Sequence, residues 1–324
     1  MSQVKKQFSF INYARLIAIL LITNSHFDVV YPWPVSFGGA PGVALFFMIS
    51  GFLLTKKPEN YEPIEHWYGR RLKRMYPSIW IATTLLIIVK YYTVDGLTRF
   101  LELFVYPTGF WFIAAILELY LLFYLVTKAK VSYKTVVLFE IALYVLSYIK
   151  GYESKFFVEA SLRVTAGFIA MLIGAEWKQR TIRNESTVGF NKNRTNLLVS
   201  LFSLAGFLSI KILLSKNILF ELQFLTHLFS IVFAYYLLIF MLNLESRFEK
   251  LDTTIIGKFL NLVSACSLEI YMIQRWIIDC LKDYMFPVNF ILIWSVVIFG
   301  GIIIQSMSSK LVSVVDEILN RGRN

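Results

Sequence analysis

What most constrains this chain is a succession of ten apolar runs, each about as long as a bilayer crossing and each closed off by polar residues. They fall at 9–30, 39–55, 77–92, 109–127, 134–150, 160–177, 196–214, 221–243, 259–281 and 288–308. A hydrocarbon core needs roughly 20 consecutive apolar residues per helix. Lipid offers no hydrogen bonds, so the backbone of such a run must satisfy itself, and a helix does so within one segment. Hydrophobic residues make up 57 % of the 324 positions and charged residues only 16 %, against about 25 % charge in soluble domains. The expected fold is all-α: a polytopic membrane protein with about ten transmembrane helices in one bundle. The loops are short, so residues 1–324 read as a single transmembrane domain with no appended soluble domain, and the bilayer itself is the first partner.

The net charge of +11 invites a nucleic-acid reading, but the cations sit between the apolar runs, where Lys and Arg orient a membrane protein. Loops on one side carry 22 basic residues and those on the other only seven, with Arg15, Arg163 and Arg275 inside spans. That asymmetry puts both termini in the cytoplasm. Nucleic acid is therefore not an expected partner. The first run holds Asn12, Arg15, Asn24, His26 and Asp28, unlike a cleavable leader. Cys266 and Cys280 fall 14 residues apart on one expected helix, about 21 Å at 1.5 Å per residue, too far for a disulfide. Three scattered His and two Cys give no zinc spacing, so no metal is expected.

Ionisable groups within spans are costly and point to function. Arg15 and His26 are 11 residues apart, which on a continuous helix leaves about 20° after three turns and places both on one face. Their axial separation is about 16 Å, so the guanidinium lies toward the cytoplasm and the imidazole toward the outside. A snorkelling Arg and a satisfied His would look the same at this level. In the second run, Ser50-Gly51 lets another backbone, or a ligand, approach closely. Ahead of the third run stand Arg70, Arg71, Lys73 and Arg74, which serve either as positive-inside anchors or as a phosphate clamp. His66 reads as solvated and His227 as a satisfied core histidine. Arg163 and Arg275 are expected to pair with intramembrane carboxylates.

Taken in order, Arg15-x10-His26, the run Phe46 to Phe52 containing Ser50-Gly51, Arg71-Leu72-Lys73-Arg74 closing on Tyr76-Pro77, and Trp111-Phe112 resemble the acyltransferase 3 family. Its members are integral-membrane enzymes that O-acylate bacterial surface carbohydrates. The likeness is densest over the first 125 residues and returns at Ser264–Trp276. Many members carry a His after a Ser-x-x-Ile-Tyr-Leu-Ile stretch near the C-terminus; this chain has Gln274 there.

The resemblance implies a multi-pass acyltransferase of the bacterial cell membrane. It would move an acyl group, most simply acetyl, from cytoplasmic acyl-CoA to a hydroxyl of a surface polysaccharide or a lipid-linked oligosaccharide. Acyl-CoA is then a donor substrate, and no permanently bound cofactor is expected. Arg70, Arg71, Arg74, Ser50 and Gly51 are the candidate donor-binding residues, and His26 with Arg15 the candidate catalytic pair. His26 would act as general base toward the hydroxyl, or would be acylated first and deliver the group. Asp28, Glu118 and Glu269 are the carboxylates that could orient its ring. A transporter or flippase of a lipid-linked sugar is the competing reading, although the chain shows no internal duplication.

Overall fold

The computed structural model describes residues 8–33, 36–55, 62–151, 160–182 and 190–321. Several residues used above for orientation (Lys5, Lys6, Lys56, Lys57, Lys155, Arg183 and Arg323) lie outside the described residues. Among the described residues there is no strand, and the chain runs through α1 (Ser9–Asn24), α2 (Gly39–Leu54), α3 (Ile64–Ile88), α4 (Leu97–Phe104), α5 (Trp111–Lys128), α6 (Tyr133–Gly151), α7 (Ala160–Ile182), α8 (Phe190–Ser215), α9 (Phe224–Leu242), α10 (Glu245–Asp252), α11 (Ile255–Ala265), α12 (Ser267–Leu281) and α13 (Val288–Arg321). This is a helical membrane protein. Nine of the ten apolar runs fall mainly on one helix each and the run 259–281 on two, but by length and composition only four described helices suffice to cross a bilayer, or five if α11 and α12 count as one broken span. The count of about ten is therefore not reached by that measure. Both α1 and α2 stop at 16 residues, short of the roughly 20 a full crossing needs.

Three boundaries differ from the sequence reading. The first helix ends at Asn24, not near residue 30. Ser25 caps it, its N–H reaching the carbonyls of Leu21 and Ile22 and its Oγ donating to Ile22 at 2.6 Å. The third helix begins at Ile64, so Arg70 to Arg74 are helical and do not form a loop; Pro77 sits inside the helix. The run 259–281 is interrupted at Cys266, so Cys266 and Cys280 do not share one unbroken helix.

The helices sort into two compact units interleaved along the chain. In the first unit (1–25, 37–57 and 126–264), α2 is central and packs on α1, α7 and α9. Glycines make this possible. A Cβ on Gly51 would lie 1.7 Å from the Met171 carbonyl oxygen, and one on Gly174 would lie 2.1 Å from that of Met48. The two backbones thus touch reciprocally, which is how helices associate where water supplies no driving force. Gly38, at φ +107°, makes the left-handed turn into α2, with Leu21 crowded against its Cα.

The second unit (26–36, 58–125 and 265–324) is built on α12, packed against α3 and α13. Gly300 and Gly301 of α13 lie against Ile273 and Ile270 of α12, each leaving 2.7 Å for a would-be Cβ. Elsewhere aromatic rings fill the space. Phe27 is fully buried between Phe290 and Trp294, and Tyr31 stacks on Trp33 at 5.1 Å beside Phe286.

Candidate functional site

The turn that carries Arg15 belongs to the first unit and is held from outside α1. The first N–H groups of a helix have no partner within it. Here the Glu245 carboxylate accepts those of Ser9 and Phe10 at 2.8 Å each. One turn on, Tyr13 donates to Asp252 at 2.7 Å, and Asn261 donates to the same oxygen at 2.6 Å. The Tyr13 ring stacks on Phe248 at 4.6 Å, and Ser264 donates to the Asn12 carbonyl at 2.6 Å. Arg15 itself is partly buried. Neither α10 nor its acids figure in the sequence reading.

His26 belongs to the second unit, two residues past the end of α1. Because that helix stops at Asn24, the continuous-helix argument that put Arg15 and His26 on one face does not hold. The backbone at His26 takes φ −98° and ψ 6° and opens a short 3-10 turn, Phe27–Val29. That region of conformational space is sparsely occupied, and many active-site residues lie in it. Phe27, the next residue, is the anchor; its ring is locked against α13, and Asn289 donates to the Val30 carbonyl at 3.4 Å. His26 is partly buried, and Asp28 is exposed on the same turn.

The basic segment is a helical surface with two faces. Arg70 and Arg74, four residues apart, are both exposed. Arg70 pairs with Glu62 through two contacts, which hold its guanidinium above its ordinary pKa. Lys73 pairs with Asp316 of α13. Arg71 turns inward. Its guanidinium stacks 3.5 Å over the Trp67 ring and donates to the Trp67 carbonyl, while its Nε is buried with no hydrogen-bond partner. Burial brings the group down to about 10, so it is still cationic at neutral pH. Tyr124 packs on the same indole and donates to the Glu62 carbonyl at 3.0 Å. Trp67 lies one helical turn before Arg71, a spacing visible in the sequence once the helix is known to start at Ile64.

Two motifs far apart in sequence meet in this unit. The Phe112 N–H donates to the Tyr271 hydroxyl at 3.3 Å, and the two rings lie 5.5 Å apart edge to face. Two residues before Tyr271 on α12, the Glu269 side chain is buried and accepts from Ser78 at 2.5 Å, its second oxygen buried without a partner. Ser78 lies one turn beyond Arg74 on α3. Glu118 is exposed and accepts from the Tyr106 hydroxyl. Gln274 is buried. Arg275, expected to pair with a carboxylate, is exposed and makes no ion pair among the described residues.

Gly51 and Ser50 lie in the first unit. The face of Gly51 is taken by the Met171 backbone, so helix packing accounts for this glycine. His227 is satisfied as expected, bonded to Tyr144 at 2.8 Å. Of the ten candidate residues, the second unit holds His26, Asp28, Arg70, Arg71, Arg74, Glu118 and Glu269, and the first holds Arg15, Ser50 and Gly51.

The structure is thus that of a helical membrane protein carrying a half-buried arginine stacked on an indole. The acyltransferase domain family (acyltransferase 3) matches residues 8–306, nearly the whole chain. The chain belongs to that family. No curated protein and no solved structure matches it.

Proposed function

We propose that this membrane acyltransferase carries acyl groups from cytoplasmic acyl-CoA, most simply acetyl-CoA, to a hydroxyl of a surface polysaccharide or its lipid-linked precursor. The observation that carries the reading is Arg71: a cation stacked on Trp67, with an N–H donor that is buried and unused. An orphaned buried donor is costly, and a phosphate oxygen of the donor nucleotide is the partner its planar fork suits. Arg70 and Arg74, exposed on the adjacent face, extend the same positive surface.

In the transfer step the hydroxyl oxygen attacks the thioester carbonyl carbon while His26 accepts its proton. The C–S bond then breaks, and the departing thiolate takes that proton from the imidazolium, leaving an ester and free CoA thiol. In the two-step version the imidazole nitrogen attacks the thioester carbon and expels the CoA thiolate, which takes the ring proton; the hydroxyl oxygen then attacks the acyl-imidazole, and its proton goes back to the ring as the C–N bond breaks. Arg15 either binds a donor phosphate or pairs with a carboxylate. The full proposal places this chemistry in a single ten-span domain of the bacterial cell membrane, both termini in the cytoplasm, with the donor entering from inside and the acceptor from outside.

The test uses inside-out vesicles. Arg71→Lys keeps the charge but loses the fork, and is expected to raise the KM for acetyl-CoA roughly tenfold with a smaller change in kcat. An unchanged KM would reduce Arg71 to a topological anchor. Loss of sugar export with surface esters intact would favour the flippase instead.

A further inference from the structure

Away from these residues, the first unit carries a groove of about 530 Å³, within the range of ligand sites. Its floor is α7, at Ile173 and Trp177, and its walls are α6, at Val137 and Leu138, and α9, at Ile231 and Val232. Helices α6 and α9 touch at one end, where Tyr144 bonds His227 at 2.8 Å and Tyr148 donates at 2.8 Å to the carbonyl of Glu221, in the 3-10 turn just before α9. Toward the other end the groove opens between them, and its mouth is polar. There Glu176 holds Lys134 at 3.6 Å and the Nε of Arg180 at 3.1 Å.

We propose that this groove is a site for one anionic membrane phospholipid. An apolar trough on a membrane helix bundle fills with hydrocarbon, because no other abundant neighbour fits Val, Ile and Leu side chains. The mouth selects the headgroup. One carboxylate shared by two cations leaves a net positive charge, and Arg180 bonds Glu176 through Nε alone, leaving its two Nη nitrogens for an incoming phosphate. Basic pockets between membrane helices take anionic headgroups in this way. Tyr235 and Tyr236 belong to the same lining, and amphipathic rings of this kind favour the boundary between tail and headgroup. A soluble anion would gain nothing from the trough, and a zwitterionic headgroup would bring an ammonium to a mouth already positive.

The experiment is native mass spectrometry of the full chain, delipidated in detergent and titrated with phosphatidylglycerol or phosphatidylethanolamine of equal chain length. Phosphatidylglycerol is expected to be retained at least tenfold better, with one lipid per chain. Lys134→Gln with Arg180→Gln, both at exposed positions, is expected to erase that preference, and Arg180→Lys to weaken it partly. Val232→Trp, which fills the trough, is expected to remove both lipids, with thermal melting as its check on folding. Equal retention of the two lipids, or an unchanged preference in the double variant, would overturn the proposal. So would displacement of phosphatidylglycerol by equimolar polyprenyl phosphate, which would assign the groove to a lipid-linked carrier.

Discussion

The crossing of α2 and α7 and the aromatic seat of His26 solve opposite problems. At the crossing, Gly51 and Gly174 bring two backbones within contact, and the closeness itself is the stabilising interaction. At the seat, Phe27 fills the space between Phe290 and Trp294 and leaves no room for the turn to shift. One region has no room for a methyl group; the other has no tolerance for losing a ring. Rigidity in a membrane protein therefore comes from both the smallest and the largest side chains, and the chemistry proposed for this chain is hung on the second kind.

Substitutions separate the two regions. His26→Ala is expected to have the largest effect, lowering acyl transfer by about 10²–10⁴-fold with the melting temperature nearly unchanged, measured as ester formed per folded molecule. Equal activity in that variant would remove the imidazole from the reaction. Phe27→Ala leaves a cavity of a whole ring and is expected to cost about 3–5 kcal/mol. Phe27→Leu should recover most of that stability but less of the activity, if the ring orients its neighbour. For Gly51→Ala the added carbon meets a carbonyl, which cannot rotate away as a side chain can, and about 3 kcal/mol is expected to be lost. A variant that melts like the parent would show that the crossing has slack after all. Glu245→Ala, the smallest of the four, frees two N–H groups at the start of α1 and is expected to cost about 1–2 kcal/mol in detergent melting.

Much of this architecture was legible from hydropathy, because a helix in lipid needs only an apolar run to be specified. The run 39–55 became Gly39–Leu54 almost unchanged. Hydropathy failed where a helix end and an apolar residue coincide. Phe27, Val29 and Val30 extend the first run without extending the helix, since they are used to dock a turn and not to continue a span. It failed in the other direction at α3, whose first turns are charged and so left no apolar trace, although Arg, Lys and Glu are good helix formers. The candidate site was legible as residue types but not as partners. Arg71 stands out by residue type as a candidate phosphate ligand, but the ring beneath it depends on a helix boundary that the pattern misplaced. Glu245 lies 236 residues from the N–H of Ser9 that it accepts, and no local spacing encodes such a pairing.

Glu245 also limits how α1 can move. With two charged contacts at its foot and Tyr13 tied to Asp252 a turn above, α1 cannot slide like a piston along its own axis without breaking all three bonds at once. An axial shift that keeps those bonds must carry α10 along with α1.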